Sequence, residues 1–391
     1  MHCLVTGATG YIGAALVPVL LARGHDVTAQ GRRRAALEGL GASPGECRVE
    51  CGDESRGECS GECRGECSGE CSGESSGERS EESGGESAPE GEAERKGKAN
   101  GKADGEGYGE GLGRGLGKGA ADSRQASGEL RLLPGELPDS IGAAALASVD
   151  VVFHLAGIAH QHASPEAYQR INVDASVALA QRAREAGVAR FVFFSSTKAT
   201  QTGEAATAMV EHSNRAVDYA SSKRIAEREL YACLDGSGTE LVILRPALVY
   251  GGCERGHLAL LRRWVDWHLP APPPGGCRSM IARADLLRLA LVLAEPAHAT
   301  PRLLTVTDGQ AYSAQRLHAA LCRARGRRPW FPSPPRVLWK TACELYDRLR
   351  SPSPGTSWQR LSGEEISVQE GLDELAFSPS LSFERSLNLP S

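Results

Sequence analysis

No Leu, Ile, Val, Met, Phe or Trp occurs between Gly52 and Gly111. A stretch with so little apolar surface cannot offset the entropy lost on ordering, so it adds nothing to a core. Whatever this 391-residue chain folds into must be assembled from two separated pieces, residues 1–43 and about 129–391. We expect a disordered surface insertion over 44–128, between a second strand and a third. Loop closure becomes costlier only slowly with length, so a core interrupted there still forms. Residues 52–119 hold 20 glycines, 17 Asp or Glu and 9 Lys or Arg, a net charge of −8. The whole chain is −5, which leaves about +3 for the remainder. A mildly basic folded part suits a small anionic ligand and does not amount to a nucleic-acid surface.

The first piece opens on His2-Cys3-Leu4-Val5-Thr6, then Gly7-Ala8-Thr9-Gly10-Tyr11-Ile12-Gly13, then an apolar run to Ala22 with Gly24 after it. This reads as strand, glycine turn, helix and C-cap. Gly7 and Gly10 let backbone approach a pyrophosphate, and Gly13 lets the helix lie close on the strand. The helix amino terminus then faces the phosphates. A second strand, Asp26–Gln30, should end beside an adenosine ribose. It is followed by Gly31 and by Arg32, Arg33 and Arg34, with no carboxylate. Either an arginine such as Arg32 pairs with a 2′-phosphate, which leans the cofactor toward NADP, or the three begin a solvated helix. NAD and NADP both stay open.

Further on, Tyr219-Ala-Ser-Ser-Lys223 sets a phenol and an ammonium one helical turn apart on one face. A phenol titrates near pH ~10, so proton exchange near neutrality needs its anion to be favoured. A shift of roughly 3 units takes about 4 kcal/mol. That exceeds what one neighbouring lysine supplies, and a positively charged nicotinamide ring would supply the rest.

In order along the chain come Thr6–Gly13 (TGATGYIG), His154-Leu155-Ala156-Gly157, Phe194-Ser195-Ser196-Thr197, the Tyr219/Lys223 pair and Arg245-Pro246. Together they resemble the extended short-chain dehydrogenase/reductase superfamily, most nearly its NAD-dependent epimerase/dehydratase group. Within that group the chain looks most like UDP-glucose 4-epimerases and UDP-4-keto-sugar reductases. The resemblance covers residues 1–43 and about 129–391. It implies a nucleotide-diphosphate sugar, UDP-linked, as substrate, with hydride transfer at the sugar C4. It makes Tyr219 the acid/base, gives Lys223 the nicotinamide ribose, and sets Ser196 against the reacting sugar oxygen. It arranges Gly7, Gly10, Tyr11, Ile12, Gly13, Leu155, Ala156, Gly157 and Pro246 around the cofactor. Glu136 stands where relatives often carry an aspartate near the adenine. Asn172 matches a position beside the substrate, and Arg278 an arginine on its diphosphate. A homodimer is compatible with these features. After Tyr250-Gly251, relatives continue with Pro-Gly, whereas this chain has Gly252-Cys253-Glu254-Arg255-Gly256-His257. That loop touches the sugar in relatives, so the sugar stays open.

Strands and helices alternate through the second piece. Leu130–Leu133, Val149–Leu155, Arg190–Ser195 and Glu240–Arg245 read as strands. Ser140–Ala147, Pro165–Ala186 and Val217–Leu234 read as helices, the second stopped by Gly187. His154 reads as a packed residue closing its strand. The fold class is therefore α/β, a Rossmann-type doubly wound parallel sheet with a smaller C-terminal substrate lobe and the disordered insertion. Residues 1–250 would form the nucleotide-binding domain and 251–391 the lobe. The lobe has helices near His257–His268, Asp285–Ala294 and Ala314–Arg325, a strand at Leu303–Thr307, and a proline-broken, weakly patterned end.

Cys47, Cys51, Cys59, Cys63, Cys67 and Cys71 lie in or beside a four-residue repeat, Gly-Glu-Cys-Ser or Gly-Glu-Cys-Arg. Their spacing suits a soft metal, but no Cys-x-x-Cys pair or histidine accompanies them, so repeat expansion without a metal site is the better reading. The six other cysteines stand singly, as reduced thiols in a cytoplasmic protein would. We expect no signal peptide and no membrane span, since the longest apolar helix, Leu286–Ala294, is too short. The rival from another class is a non-catalytic NAD(P)-binding sensor or assembly protein on the same fold.

Overall fold

The structure is a computed structural model that describes residues 1–41, 128–159, 163–200, 217–252, 256–295, 300, 302–350 and 356–388. The expected disordered insertion lies outside the described residues, apart from Gly128. Its six repeat-associated cysteines lie outside them too, as do Cys253, Glu254 and Arg255.

Seven parallel strands form the main sheet. They are β1 (His2–Thr6), β2 (Asp26–Gly31), β3 (Leu130–Pro134), β4 (Val151–His154), β5 (Arg190–Phe194), β6 (Glu240–Pro246) and β9 (Leu303–Val306). Their order is β3-β2-β1-β4-β5-β6-β9, so the chain starts mid-sheet, winds to one edge, then crosses to the other. This is the expected doubly wound class, and its switch point lies between β1 and β4. Pairing of Val27 with Leu130 and of Gly31 with Pro134 shows β3 joining β2 in register although 98 residues separate Gly31 from Leu130.

The strands are apolar on both faces because helices cover both. Odd and even positions serve different cores. Cys3, Val5, Phe153, Val192 and Leu244 meet Leu16, Val17 and Leu20 of α1 (Gly13–Ala22) and Leu286, Leu289 and Leu293 of α8 (Arg283–Ala294). Leu4, Val152, Phe191, Phe193 and Ile243 meet Leu179 and Ala183 of α5 (Ala175–Glu185) and Ala226, Leu230 and Leu234 of α6 (Tyr219–Leu234). Short helices α2 (Arg34–Glu38), α3 (Ala143–Leu146) and α4 (Pro165–Tyr168) fill the connections.

Two local departures from the sequence reading have visible causes. The helix expected as continuous over 165–186 contains a π-helical turn at Gln169–Asp174. There the Ser176 hydroxyl donates to the Asn172 carbonyl at 2.8 Å, and the widened turn aims the Asn172 amide out of the helix. The helix carrying Tyr219 begins at that residue rather than at Val217. Asp218 caps it, accepting from the Ser221 amide at 2.7 Å, while the Ser221 hydroxyl answers the Asp218 amide at 2.9 Å.

The smaller lobe has its own sheet of β7 (Leu248–Tyr250), β8 (Cys277–Ala282) and β10 (Ala311–Ser313), with β8 central. Around it lie α7 (Gly256–Asp266), α9 (Ala314–Ala324), α10 (Arg336–Arg350), α11 (Thr356–Ser362) and α12 (Phe383–Ser386). Its core is Tyr250, Met280, Tyr312, Leu317, Leu321 and Phe383, with Tyr250 and Tyr312 both donating to Asp308. The chain does not stay in this lobe after residue 250. Leu286 of α8, Leu304 of β9 and later Leu372 and Phe377 return to the large core before Phe383 rejoins the small one.

Candidate active site

Gly7 ends β1 with φ +66°, a left-handed conformation that a side chain disfavours. A Cβ on Gly7 would stand 2.8 Å from the Ala156 amide nitrogen, and one on Gly13 only 2.5 Å from the Gly7 carbonyl oxygen. The turn, the first residues of α1 and the loop after β4 are therefore in backbone contact, and only glycine fits. Gly10 donates to the Gly7 carbonyl at 2.9 Å and closes the turn. The Tyr11 hydroxyl donates to the Gly251 carbonyl, and the Arg283 guanidinium lies 4.9 Å from its ring centre, so this turn is clasped to the start of the smaller lobe. Ile12 immediately precedes α1 and packs on the large core.

Behind the turn, Gln30 reaches both neighbours. Its Oε1 accepts from the Gly7 amide at 3.4 Å and its Nε2 donates to the Gly135 carbonyl at 2.6 Å. A neutral amide thus occupies the end of β2. Arg32, Arg33 and Arg34 are exposed, and Arg34 closes an i,i+4 pair with Glu38 at 3.1 Å. Glu136, just after β3, is also exposed.

The carboxyl end of β5 supplies Ser195 and Ser196. The Ser196 hydroxyl lies close enough to the Tyr219 phenol to favour its anion. One turn along α6, the buried Lys223 ammonium donates to the Phe194 carbonyl at 2.9 Å and sits 4.5 Å from the Phe193 ring centre. A Cβ on Gly157 would lie 3.5 Å from Lys223 Nζ, so the loop after β4 reaches the lysine. Gly7, Gly13, Ala156, Gly157, Ser196, Tyr219 and Lys223 thus form one chain of neighbours at the carboxyl ends of β1, β4 and β5. Leu155 donates its amide to the Thr6 carbonyl at 3.3 Å and holds that loop on β1. Pro246 ends β6, and Arg278 lies in β8 of the smaller lobe, its backbone bridged to Glu365.

One expectation is corrected. The spacing of Tyr219 and Lys223 has the ammonium lower the phenol's pKa. Burial instead raises the phenol above its ordinary value, the Ser196 hydroxyl pulls it partly back, and Tyr168 adds to the rise. Lys223 turns to the Phe194 carbonyl. Burial also brings its own ammonium down to about 8, with Glu227 opposing the change.

Asn172 proves to be a brace. Its Oδ1 accepts from the Ile158 amide at 2.8 Å, and its Nδ2 donates to the Ile158 carbonyl at 3.1 Å and the Ser222 hydroxyl at 3.0 Å. The amide, fully buried, thereby ties the loop after β4 to α6. Sequence reasoning missed a second brace. Glu227, one turn beyond Lys223, accepts a two-pronged bond from Arg245 at 2.9 and 2.5 Å and another from the Ser195 hydroxyl. Its signal was a carboxylate inside the apolar stripe of α6.

His154 lies under the site, between the Thr6 hydroxyl at 2.7 Å and the Ser176 hydroxyl at 2.8 Å. Burial, aided by the Lys223 charge, lowers its imidazole to about 3. An unfolded histidine titrates near ~6.5. Above that pH the difference costs nothing. Below it the unfolded chain takes up a proton that the folded chain refuses, so stability falls as pH drops from ~6.5 toward ~3, by about 1.4 kcal/mol per pH unit. Urea melts across this range should fall more steeply for the parent than for His154→Asn. Parallel slopes would contradict the assignment.

The model of the NAD dependent epimerase/dehydratase family matches residues 3–48 and 118–265. A UDP-glucose 4-epimerase of Vibrio cholerae is 30% identical over 214 residues, which are 52% of this chain and 65% of that protein. The matched part thus spans less than two thirds of the length of this relative. Among solved structures, a UDP-N-acetylglucosamine 4-epimerase from Methanobrevibacter ruminantium M1, in complex with UDP-N-acetylmuramic acid, superposes with TM-score 0.60. It is 15% identical and covers 99% of this chain and 95% of its own. MoeE5 in complex with UDP-glucuronic acid and NAD superposes with TM-score 0.57 at 19% identity over 99% of this chain and 97% of its own. At such identities these two speak for the fold. Taken with the order of motifs and the glycine-only contacts at the turn, the family match makes this chain a member of the NAD-dependent epimerase/dehydratase family.

Proposed function

We propose that the protein is a nicotinamide-dependent enzyme that oxidises or reduces C4 of a UDP-linked sugar. The observation that carries this reading is the gathering of the Ser196 hydroxyl, the Tyr219 phenol and the buried Lys223 ammonium one loop away from the glycine turn. The residues present fit a dinucleotide. At Gly7 and Gly13 the cradle leaves no room for a Cβ, so backbone alone faces the position of a pyrophosphate. Gly10, Tyr11, Ile12, Leu155, Ala156, Gly157 and Pro246 would complete the enclosure, and Glu136 would approach the adenine. Bound there, the nicotinamide would supply the acceptor and donor of hydride.

The chain's own residues move the proton. Tyr219 takes the proton of the C4 hydroxyl, directly or through Ser196, as the carbon is oxidised, and returns it on reduction. The free phenol, held above its usual range by burial, needs a positive neighbour before it accepts a proton near neutrality. Lys223 would hold the ribose, and a bound nicotinamide cation would supply that charge. The exposed Arg32 and the neutral Gln30 leave room for a 2′-phosphate, so NADP is acceptable beside NAD. Arg278 would meet the substrate diphosphate, with Asn172 bracing the wall beside the sugar. An epimerase would keep its nicotinamide through the cycle, whereas a 4-keto reductase would exchange it.

Mass spectrometry of what co-purifies with the full chain, paired with NMR of UDP-glucose and UDP-N-acetylglucosamine incubations, tests this. Bound nicotinamide and a C4-inverted or C4-reduced product are expected. A chain that neither retains nor binds either nicotinamide dinucleotide, and converts no UDP-sugar, would refute the reading.

A further inference from the structure

We infer that α10, with the loop before it, docks the protein on an anionic lipid surface. This goes beyond the proposed reaction and does not depend on it. The helix is turned inside out relative to an ordinary surface helix. Cys343 and Asp347 are buried on the lobe side, and the Trp339 ring packs at a tilt against Trp264 with centres 5.6 Å apart. The opposite stripe faces solvent, with Leu338 59%, Leu345 56% and Leu349 77% exposed. Their spacing of seven and four residues places them on one face. Trp330 at 72% and Phe331 at 63% extend the patch along the preceding loop, and Trp267 at 60% extends it onto the end of α7. The loop is held against α7: Trp330 donates its amide to the His268 carbonyl at 2.9 Å, and the two rings stack at 5.4 Å. Large exposed apolar side chains concentrated on a few neighbouring elements mark an interaction face.

Charge selects the occupant. Residues 323–350 contain eight Arg or Lys and two Asp or Glu, a net of +6, of which Arg325 is paired with Asp266 of α7. Of the two acids, Asp347 is buried against Ser357 and Glu344 faces Lys340 at 3.9 Å. A second copy meeting this face about a twofold axis would set one cationic patch against another. The acidic insertion has the opposite charge but no Leu, Ile, Val, Met, Phe or Trp from Gly52 to Gly111 with which to cover apolar side chains. An anionic lipid surface satisfies both requirements: headgroups for arginine and lysine, acyl chains for tryptophan, phenylalanine and leucine. With 15 residues α10 lies in the plane of the interface. Among the described residues no helix is long and apolar enough to cross a membrane.

Flotation of the full chain with phosphatidylcholine vesicles, with and without phosphatidylglycerol, tests the proposal. Binding is expected only with phosphatidylglycerol and should weaken as salt is raised. The double substitution Leu345→Glu, Leu349→Glu should lower partitioning more than about tenfold. It should leave circular dichroism and melting unchanged, because both side chains already face solvent. Three results would overturn the inference: no flotation of the parent with anionic vesicles, equal flotation of parent and variant, or a solution dimer that this substitution splits without any vesicle binding. The last would make the face an interface between copies.

Discussion

Tyr219→Phe should reduce turnover by about 100- to 10,000-fold while nicotinamide affinity changes little. The substitution removes one oxygen and keeps the ring, which lies 6.5 Å from Tyr168. It leaves the glycine turn, Ala156, Gly157 and the Lys223–Phe194 bond in place, so the cofactor contacts survive. What is lost is the group able to exchange a proton with the sugar, beside the Ser196 hydroxyl. Stopped-flow turnover beside fluorescence titration with NADH separates the two effects. If the variant turns over at the parent rate, Tyr219 is not the acid/base. Lys223→Met is a harsher change, because it also leaves the buried Phe194 carbonyl without its 2.9 Å donor, and its stability should fall together with its activity.

Gly7→Ala should lower stability by about 2–4 kcal/mol, combining an unfavourable left-handed backbone with overpacking against Ala156. The added methyl would sit 2.8 Å from backbone nitrogen and 2.9 Å from Cα, atoms that cannot swing aside as a flexible side chain would. Relief requires β1 and the loop after β4 to part, which opens the turn where the pyrophosphate would lie. Cofactor affinity should fall with stability. Gly39→Ala is the control. At φ −67° with nothing within 4 Å of its added carbon, it should be neutral or slightly stabilising. Thermal melts with and without NAD compare the two, and a Gly7→Ala chain as stable as the parent would show the turn to be slack.

The large sheet was legible because most of its strands have apolar centres and are separated by helical patterns with clear stops, as at Gly187. The glycine turn and the Ser196, Tyr219, Lys223 set were legible because each has a fixed sequence spacing inside one element or at its end. The rest lacked such a signal. The smaller lobe's β7 and β10 have three residues each, too few for an alternation to register. Helix α10 follows Pro332, Pro334 and Pro335, and its leucines face outward, so no core-facing stripe announced it. The π-helical turn changes register by a hydrogen-bond shift that no periodicity records. Asn172 was placed near the substrate by resemblance, and only the geometry reveals that its amide is bound to Ile158 and Ser222. The charge argument for Tyr219 failed for a simpler reason: spacing places an ammonium on a face, but not the carbonyl that captures it.

The repeated exchange of the chain between its two cores limits how the molecule can be dismantled. A cut at Tyr250 would strip the amino-terminal fragment of Leu286, Leu289, Leu293 and Leu304, and so of an edge strand and much of one helical layer. The other fragment would carry those residues with nothing to cover them. The lobes should therefore melt together in a single transition, and a recombination boundary that respected the linear sequence should yield two insoluble halves.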